Sequence, residues 1–351
     1  MIATSLRYSP QALSEYLALR WLAGAETAWF GAYAPDRSTL VPSRQTTVAN
    51  AEEVLDALRA SLSDIDPATT GLLLSGGIDS AILARLVPAG LRAYTLRFVA
   101  PGAIDESPAA SHFACVAGLR HEVVDVSWSD YETATDGLAL RKRAPLHAVE
   151  VGLHKAALRA SGDGLTTLIV GNGADSTFGG LDKLLARDWT REAFMARYAF
   201  VNPRRVLRDC GDSERAFAAW SAGETFDTAG FLKVVHGEGV TQSFMNAIGA
   251  AGCAMRAPYE ELVLGVPLDL ARIRGGESKY ILREVFRSLY GAERAPEKIA
   301  FARPMDHWLR GWRGPERPEF LDIDIDEFAG EQRWLLWSLD RFLSLLERLY
   351  G

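Results

Sequence analysis

The sequence has few cysteines, no long apolar run and no surplus of positive charge, and each absence argues against a class of protein. Its three cysteines, Cys115, Cys210 and Cys253, lie far apart, which fits neither a zinc site nor a disulfide framework. The most apolar early run, 16–24, is short and interrupted by Arg20, unlike a signal peptide, and no stretch is long enough to span a membrane. A net charge of −7 argues against a general nucleic-acid surface. We therefore expect a cytoplasmic protein without a membrane or nucleic-acid partner.

The composition of the 351 residues, 48% hydrophobic and 24% charged, is typical of a globular protein. Strand and helix patterns alternate between residues 61 and 184, which predicts an α/β fold with a doubly wound parallel sheet. We divide the chain into an N-terminal extension (1–60), this α/β core (61–184) and a mainly helical part (185–345) without strand alternation. Strands are predicted at 27–35, 71–74, 92–98 and 121–126, and the stretch 167–176 is predicted to be a further strand that feeds a glycine loop. Helices are predicted at 10–24, 49–62, 80–88, 106–119 and 146–161.

A glycine turn with an aspartate joins the first core strand to its helix, in the stretch "LLLSGGIDSAILARLV" (72–87). Gly76 and Gly77 let backbone N–H groups approach a ligand, and the start of the following helix favours an anion such as a phosphate. A bare carboxylate would repel that phosphate, so Asp79 is best explained as a ligand of Mg²⁺ shared with the phosphates. The alternative is a tight turn in which Asp79 and Ser80 only cap the helix.

A second glycine loop of the same design, "VGNGADSTFGG" (170–180), follows another apolar strand and carries Asp175. Ligands of doubly wound sheets bind at the carboxyl ends of the strands, so loops from adjacent strands would bring Asp79 and Asp175 into one crevice. Paired carboxylates facing a phosphate are the usual way to hold Mg²⁺. The alternative is that Asp175 caps the next helix.

These stretches resemble a known family. "SGGIDS" (75–80) is similar to the signature of the PP-loop ATP pyrophosphatases, and "GNGADSTFGG" resembles "GEGADE-FGG" of the asparagine synthetase synthase domain. Three more stretches follow in the same order: "MRAPYE" (255–260) resembles "VRVPFLD", "SKYILREVF" (278–286) the lysine-led "K-ILRE" helix, and "KIAFARPMDHWLR" (298–310) "KKGF-VP--DWL". The resemblance covers about 50–345, and 16–31 resembles the segment that joins the family's two domains, so 1–60 reads as a remnant of it.

The resemblance implies a PP-loop ATP pyrophosphatase fold (adenine nucleotide alpha hydrolase-like) with a helical C-terminal half, and adenylation chemistry with ATP and Mg²⁺. A substrate carboxylate would attack the α-phosphorus of ATP, and an amine would then displace AMP. Motif positions imply the following roles: Ser75, Gly76, Gly77 and Ser80 around the pyrophosphate; Asp79 and Asp175 as Mg²⁺ ligands; Leu74, Leu96 and Gly171, with Asn172 beside them, at the nucleotide; and Lys279 and Lys298 as catalytic lysines.

Departures from the family lie on the acid and amine side. Ile2 stands where asparagine synthetases carry the catalytic cysteine of a glutaminase domain, so we expect no ammonia from glutamine by that route. Asn172 and Ser176 replace the two glutamates of "GEGADE", and an amide cannot serve as a base. Candidate substitutes for the missing base are Glu132, Asp136, Glu150, His236 and Glu238, although each also fits an ordinary surface or structural role.

We therefore expect an AMP-forming amide ligase that acts on a small-molecule or peptide carboxylate, with ammonia or an amine as acceptor. One alternative is an intramolecular cyclase resembling β-lactam synthetases or lasso-peptide cyclases. The others are a tRNA-modifying PP-loop enzyme, or an ATP-binding subunit without catalysis that works with a partner protein. The identity of the acid and of the amine is left open by the sequence.

Overall fold

The computed structural model describes residues 6–24, 26–37, 42, 44–222, 225–296 and 303–351. Its strands are β1 Thr46–Val48, β2 Thr70–Leu73, β3 Arg92–Phe98, β4 Arg120–Val126, β5 Thr167–Ile169, β6 Ser221–Ala222, β7 Thr225–Phe226, β8 Ala254–Arg256 and β9 Leu262–Leu264. Its α-helices in the first half are α1 Pro10–Leu19, α2 Ala51–Ser61, α3 Ile78–Leu86, α4 Ser107–Ala117, α5 Trp128–Lys142, α6 Glu150–Gly162 and α7 Ala174–Thr177.

The second half of the chain is richer in short helices. The α-helices are α8 Asp182–Leu185, α9 Arg191–Tyr198, α10 Arg215–Ala218, α11 Thr228–Phe231, α12 Gly237–Ala250, α13 Leu270–Arg274, α14 Tyr280–Tyr290, α15 Met305–Trp308 and α16 Gly330–Tyr350. A π-helical turn, Leu232–His236, directly precedes α12. Three 3₁₀ turns lie at Pro203–Arg205, Pro258–Glu261 and Ile325–Glu327.

The central sheet has five parallel strands in the order β4-β3-β2-β5-β8. Helices cover both faces: α3, α4 and α14 pack together on one, and α5, α6 and α12 on the other. Parallel strands buried on both faces need near-continuous apolar sequence, and Leu72, Ala93 and Leu168 are fully buried. The predicted α/β class with a doubly wound parallel sheet is confirmed.

The strand order reverses direction at β2. From β2 the chain moves through β3 to β4 on one side, then returns to place β5 on the other side of β2, with Leu72 opposite Ile169. In open α/β sheets, ligands bind at such a reversal, outside the carboxyl ends of the strands. The loops that follow β2 and β5 are the two glycine loops singled out in the sequence.

Two expectations about strands were wrong. The stretch 27–35 forms only an isolated bridge between Phe30 and Tyr33, because its aromatic side chains pack in a tight turn: the rings of these two residues stack 5.1 Å apart. Strand structure also continues beyond residue 185, since β8 pairs in parallel with β5 and completes the sheet. The short apolar run around β8 carries no period that would distinguish a strand from a helix.

The N-terminal and C-terminal helices build a second core beside the sheet. α1 stops at Leu19 because Arg20 takes the left-handed conformation, with φ of 69°. Trp29 and Trp334 are almost fully buried in this core, and the indole N–H of Trp334 donates to the carbonyl of Leu146 at 2.9 Å. No helix in the described part of the chain combines the length and the apolar content that crossing a membrane requires.

Candidate active site

The first glycine loop is held in shape by its own serines. The Ser75 N–H donates to the Ser80 Oγ at 3.0 Å, and the Ser80 hydroxyl lies 3.0 Å from the Ser75 carbonyl, to which it donates. The Gly77 N–H donates to the Ser75 Oγ at 3.2 Å. Gly77 is also the N-cap of α3, and no side chain caps that helix end. The helix dipole and its first amides therefore face the crevice, as a pyrophosphate-binding loop requires.

The second loop lies directly against the first. A Cβ atom on Gly171 would sit only 3.3 Å from the Asp79 Cβ, so a glycine here allows the backbone after β5 to approach the start of α3 closely. Leu74 and Leu96 border the same edge of the sheet on adjacent strands. The Thr95 hydroxyl, between them, donates to the Leu74 carbonyl at 2.5 Å. The positions that the resemblance assigns to the nucleotide are thus neighbours in space.

Lys279 joins the two loops through their aspartates. Its Nζ lies 2.5 Å from an Asp79 carboxylate oxygen and 2.9 Å from an Asp175 oxygen, although Lys279 is 200 residues from Asp79 in sequence. The lysine precedes α14 and has φ of 53°, a conformation that is rare outside glycine. Its side chain is only 8% exposed. A buried ammonium is therefore fixed at the point on which both carboxylates converge.

The charge of Lys279 is secured by its neighbours. Burial alone would favour the neutral amine, but the attraction of Asp79 and Asp175 outweighs it and raises the pKa of Lys279 well above its ordinary value. Tyr259 helps to fix the backbone of Asp79, because its buried side chain donates a hydrogen bond from the hydroxyl to the Asp79 carbonyl at 2.9 Å. Burial, followed by the nearby Asp79 charge, raises the pKa of Tyr259, so this hydroxyl stays protonated.

Sequence reasoning missed Gly180, which the ion pair requires. The Gly180 N–H donates to the Asp175 carbonyl at 2.9 Å and closes the second loop. A Cβ atom at this position would overlap both the Asp175 carboxylate and the Lys279 side chain. The second of the two glycines in "TFGG" (177–180) is the feature of the sequence that could have identified this requirement.

We expect Gly180→Ala to lower the free energy of unfolding by about 1–3 kcal/mol, the usual range for forcing a methyl group into filled space. The same change should weaken Mg²⁺-dependent ATP binding, because Asp175 and Lys279 must move apart. Denaturant unfolding and calorimetry measure the two effects. Gly162→Ala is the matched control, since a Cβ there meets nothing within 4 Å. Equal stability of the two variants would contradict the steric argument.

The donor set fits Mg²⁺ held jointly with a nucleotide. Asp79 and Asp175 point at one position, which Lys279 now neutralises. No group of three or more His, Cys, Asp or Glu residues that could hold a metal occurs in the described part of the chain. Mg²⁺ in nucleotide enzymes characteristically takes one or two carboxylates and completes its shell with phosphate oxygens and water. A pair of aspartates is therefore sufficient for Mg²⁺ that completes its shell with ATP oxygens and water.

Glu260, which was not singled out in the sequence, lies in hydrogen-bond contact with Asn172. The Asn172 side-chain N–H₂ donates to a Glu260 carboxylate oxygen at 2.7 Å, and the Thr241 hydroxyl donates to the same oxygen at 2.8 Å. Glu260 follows β8, next to β5 in the sheet, so it reaches the same carboxyl edge as Asn172. In "MRAPYE", Glu260 stands where "VRVPFLD" has leucine. An acidic residue at a position that is apolar in the family motif is the feature of the sequence that could have identified it.

The surroundings of Glu260 make it a better base than an exposed glutamate. The pKa of Glu260 is raised, and burial is the main cause. The hydrogen bond from Thr241 and the positive charge of Lys233 lower this pKa, whereas the negative charge of Glu238 raises it further. Glu238 is exposed, and partial burial of its carboxyl group raises its own pKa. Thus the carboxylate absent at position 172 is present across one hydrogen bond, at position 260.

The other candidate bases have structural partners. Glu150 is fully buried and accepts from Lys142 at 2.6 Å and from the Asn246 side chain at 2.8 Å. Asp136 pairs with Arg341 at 2.5 Å, and the Glu132 carbonyl accepts from the same arginine. His236 shares a hydrogen bond of 3.0 Å with the Tyr198 hydroxyl. Glu150 and Asp136 are therefore poor candidates, because proton transfer would break an ion pair.

Two further positions complete the comparison with the sequence. Lys298 lies outside the described residues, so its predicted catalytic role stays a prediction from the motif.

Glu106, just before α4, was not singled out in the sequence. Burial raises the pKa of Glu106, and the nearby backbone of Gly76 in the first loop lowers it. Glu106 thus lies close to the loop that is expected to bind pyrophosphate.

Comparison with solved structures gives weak likenesses. An NH3-dependent NAD synthetase from Campylobacter jejuni, in complex with nitrate, is 18% identical over 37% of this chain and 58% of that one, with a TM-score of 0.23. The U34-tRNA thiolase NcsA from Methanococcus maripaludis, with its [4Fe-4S] cluster, is 14% identical over 87% and 89%, with a TM-score of 0.34. NMN synthetase from Francisella tularensis is 13% identical over 72% and 97%, with a TM-score of 0.25. Likenesses this weak do not bear on the chemistry of this chain.

Comparison of sequences is more informative. No curated protein matches the chain. The family model described as asparagine synthase matches residues 51–241, more than half of the 351 residues. The matched range contains both glycine loops with Asp79 and Asp175, together with the Thr241 that contacts Glu260. The chain belongs to the asparagine synthase family.

Proposed function

We propose that the protein is an AMP- and pyrophosphate-forming ligase that adenylates a carboxylate and transfers the acyl group to ammonia or an amine. Membership of the asparagine synthase family supports an ATP-using, adenylating enzyme. The observation that carries the proposal is the convergence of Asp79 and Asp175, from two glycine loops, on the buried ammonium of Lys279 at the point where the sheet reverses direction.

The first step transfers AMP to the acid. A carboxylate oxygen attacks the α-phosphorus of ATP, and the bond to the β-phosphate oxygen breaks to release pyrophosphate. Mg²⁺ bound by Asp79 and Asp175 would neutralise phosphate charge. The amides of the Ser75–Ser80 loop bind the pyrophosphate end, and Lys279 stabilises the charge that grows on the bridging oxygen. The motif position of Lys298 suggests a second cation for the same charge.

The second step forms the amide. The amine nitrogen attacks the carbonyl carbon of the acyl-adenylate, the bond to AMP breaks, and the nitrogen loses one proton. We propose Glu260 as the acceptor of that proton, because its raised pKa and its position beside Asn172 fit a general base. Asn172 and Thr241 position the carboxylate by donating to one of its oxygens, so the other oxygen would accept the proton.

A screen for pyrophosphate release tests the proposal as a whole. Carboxylic acids would be supplied one at a time with ATP and Mg²⁺, with and without ammonium or simple amines. Release that depends on an acid, and an amide product that depends on the amine, support the proposed ligase. Pyrophosphate release that no acid accelerates would count against it.

Asp79→Asn should weaken Mg²⁺-dependent ATP binding by about tenfold or more, or about 1.4 kcal/mol, because one of two carboxylate ligands is lost. Calorimetric titration of ATP with and without Mg²⁺ measures the effect. Asp209→Asn, which removes an exposed carboxylate elsewhere, is the matched control. If both variants bind ATP·Mg²⁺ with wild-type affinity, the metal site is misplaced.

A further inference from the structure

A partly exposed apolar surface lies near the carboxyl ends of β2 and β3, where the sheet packs against α6 and α12. It consists of three buried residues and three partly buried residues packed against them: Val149, Leu153 and Ala247, and Leu73, Leu96 and Phe244. We call this set the α12 apolar surface. Leu73 ends β2, and Leu96 lies two residues beyond Tyr94, the partner of Leu73 in β3. All six side chains are hydrocarbon, and three of them are not fully covered by the protein.

The α12 apolar surface is one helical turn from the residues of the proposed second step. The Asn172 side chain donates to the Thr241 hydroxyl at 2.7 Å, and both bond the proposed base. Phe244 lies three residues after Thr241, on the same face of α12 and about 4.5 Å further along its axis. Asn172 follows Gly171, whose backbone lies against Asp79. The nucleotide loops and Phe244 are therefore connected through Asn172 and Thr241.

An acid fits along these residues in one direction. Its carboxylate must reach the α-phosphorus of ATP, which places that end at the glycine loops, beside Gly171 and Asn172. The remainder of the molecule then extends along α12 towards Phe244. The opposite direction would place a charged group against hydrocarbon side chains, where it would lose its hydration without gaining a partner.

The acid explains the surface better than the nucleotide does. Of the six residues, only Leu96 belongs to the positions that the resemblance assigns to the nucleotide. Phe244 lies on α12, the helix that carries Thr241, and no nucleotide position lies on that helix. The surface thus continues the side of the site at which the amide is formed.

We propose that the α12 apolar surface binds the body of the acid substrate, that this acid is a monocarboxylate with an apolar body, and that Phe244 selects it. The inference rests on the proposed function, because it names the class of acid that is adenylated at the glycine loops. A dicarboxylate is disfavoured, since its second charge would face Leu73, Leu96 and Phe244 without a counter-ion.

Hexanoate and adipate test the selectivity, because they differ only in whether the distal end is a methyl group or a carboxylate. Each is titrated into the whole protein with Mg²⁺ and α,β-methylene-ATP, an analogue that binds without turnover, and ligand-detected NMR measures binding. We expect hexanoate to bind and adipate to bind at least about tenfold more weakly. No binding of hexanoate, or binding of adipate that is equal or tighter, would overturn the proposal.

Phe244→Ala should weaken hexanoate binding about tenfold, because the largest apolar contact is removed. Phe244→Arg should reverse the preference, since a guanidinium can pair with the distal carboxylate of adipate. A reversal cannot result from unfolding, which would weaken the binding of both acids. Leu158→Ala, which removes an exposed leucine of α6, is the control and should bind both acids like the wild type.

Nucleotide binding separates the possible occupants of the surface. The three variants should bind α,β-methylene-ATP with Mg²⁺ as the wild type does. If Phe244→Ala weakens nucleotide binding and leaves hexanoate binding unchanged, the surface belongs to the nucleotide and the proposal is overturned. Unchanged binding of both ligands would overturn it as well. Absence of nucleotide binding by the wild type would instead contradict the proposed function.

Discussion

Glu260→Gln should slow amide formation by about 10²–10⁴-fold while acid-dependent pyrophosphate release remains, because the proposed base acts only on the attacking amine. The substitution keeps the shape of the side chain and its oxygen acceptor for Asn172 and Thr241, which lie 2.7 and 2.8 Å from Glu260. Pyrophosphate and amide are measured in the same reaction, with the acid found by the screen. Equal loss of both products would contradict a role confined to the second step.

The pH dependence of amide formation gives an independent test of Glu260 as the proposed base. Because burial raises its pKa, the carboxyl group stays protonated to a higher pH than an exposed glutamate, and it can accept a proton only above that pKa. Amide formation by the wild type should therefore rise with pH through this raised pKa. Glu260→Gln should lack that limb, and Glu261→Gln, at the adjacent position, should retain it. A wild-type limb that persists in Glu260→Gln would assign the titration to another group.

Lys279→Met should lower the rate of adenylation by about 10²–10³-fold, the usual cost of removing one electrostatic donor from a transition state. The variant should also be less stable in the absence of Mg²⁺, because two carboxylates are left facing each other. We expect a loss of about 2–3 kcal/mol, below the range for a fully buried pair since Asp175 is 45% exposed. Pyrophosphate release and denaturant unfolding measure the two effects.

Adding Mg²⁺ should restore much of the stability lost in Lys279→Met, because a divalent cation can take the place of the ammonium and binds only the folded chain. The wild type should gain less, since Lys279 already neutralises the aspartates. Lys155→Met is the control: it removes a lysine paired with Asp130 at 2.8 Å, away from the glycine loops, and Mg²⁺ should not restore it. Equal effects of Mg²⁺ on both variants would show that Asp79 and Asp175 are not the metal ligands.

Local sequence was enough to predict four of the five strands of the sheet and the two glycine loops. β3 begins and ends at the predicted residues 92–98, because a mostly apolar and aromatic run, "RAYTLRF", is bounded by turns on both sides. The two loops were identifiable since glycines, an aspartate and a following helix lie together in each. Their contact through Gly171 and Asp79 follows from the pairing of β2 with β5.

Features that depend on contacts between distant parts of the chain could not be predicted from the local sequence. β8 has three residues, and only its pairing with β5 makes it a strand. The amide of Asn172 is visible in the sequence, but its hydrogen bond to Glu260, 88 residues later, could be found only from the fold. Likewise the acidity of Glu150 suggested chemistry, whereas its burial against Lys142 shows an internal ion pair. Burial and partner choice are tertiary properties.

The ion pairs of Lys279 also affect how a ligand enters. Its ammonium already stands between Asp79 and Asp175, at 2.5 and 2.9 Å, so the metal–nucleotide complex that we propose would replace one cation by another instead of filling a gap. The carboxylates are kept at their working separation throughout, and little reorganisation is left for the moment of binding.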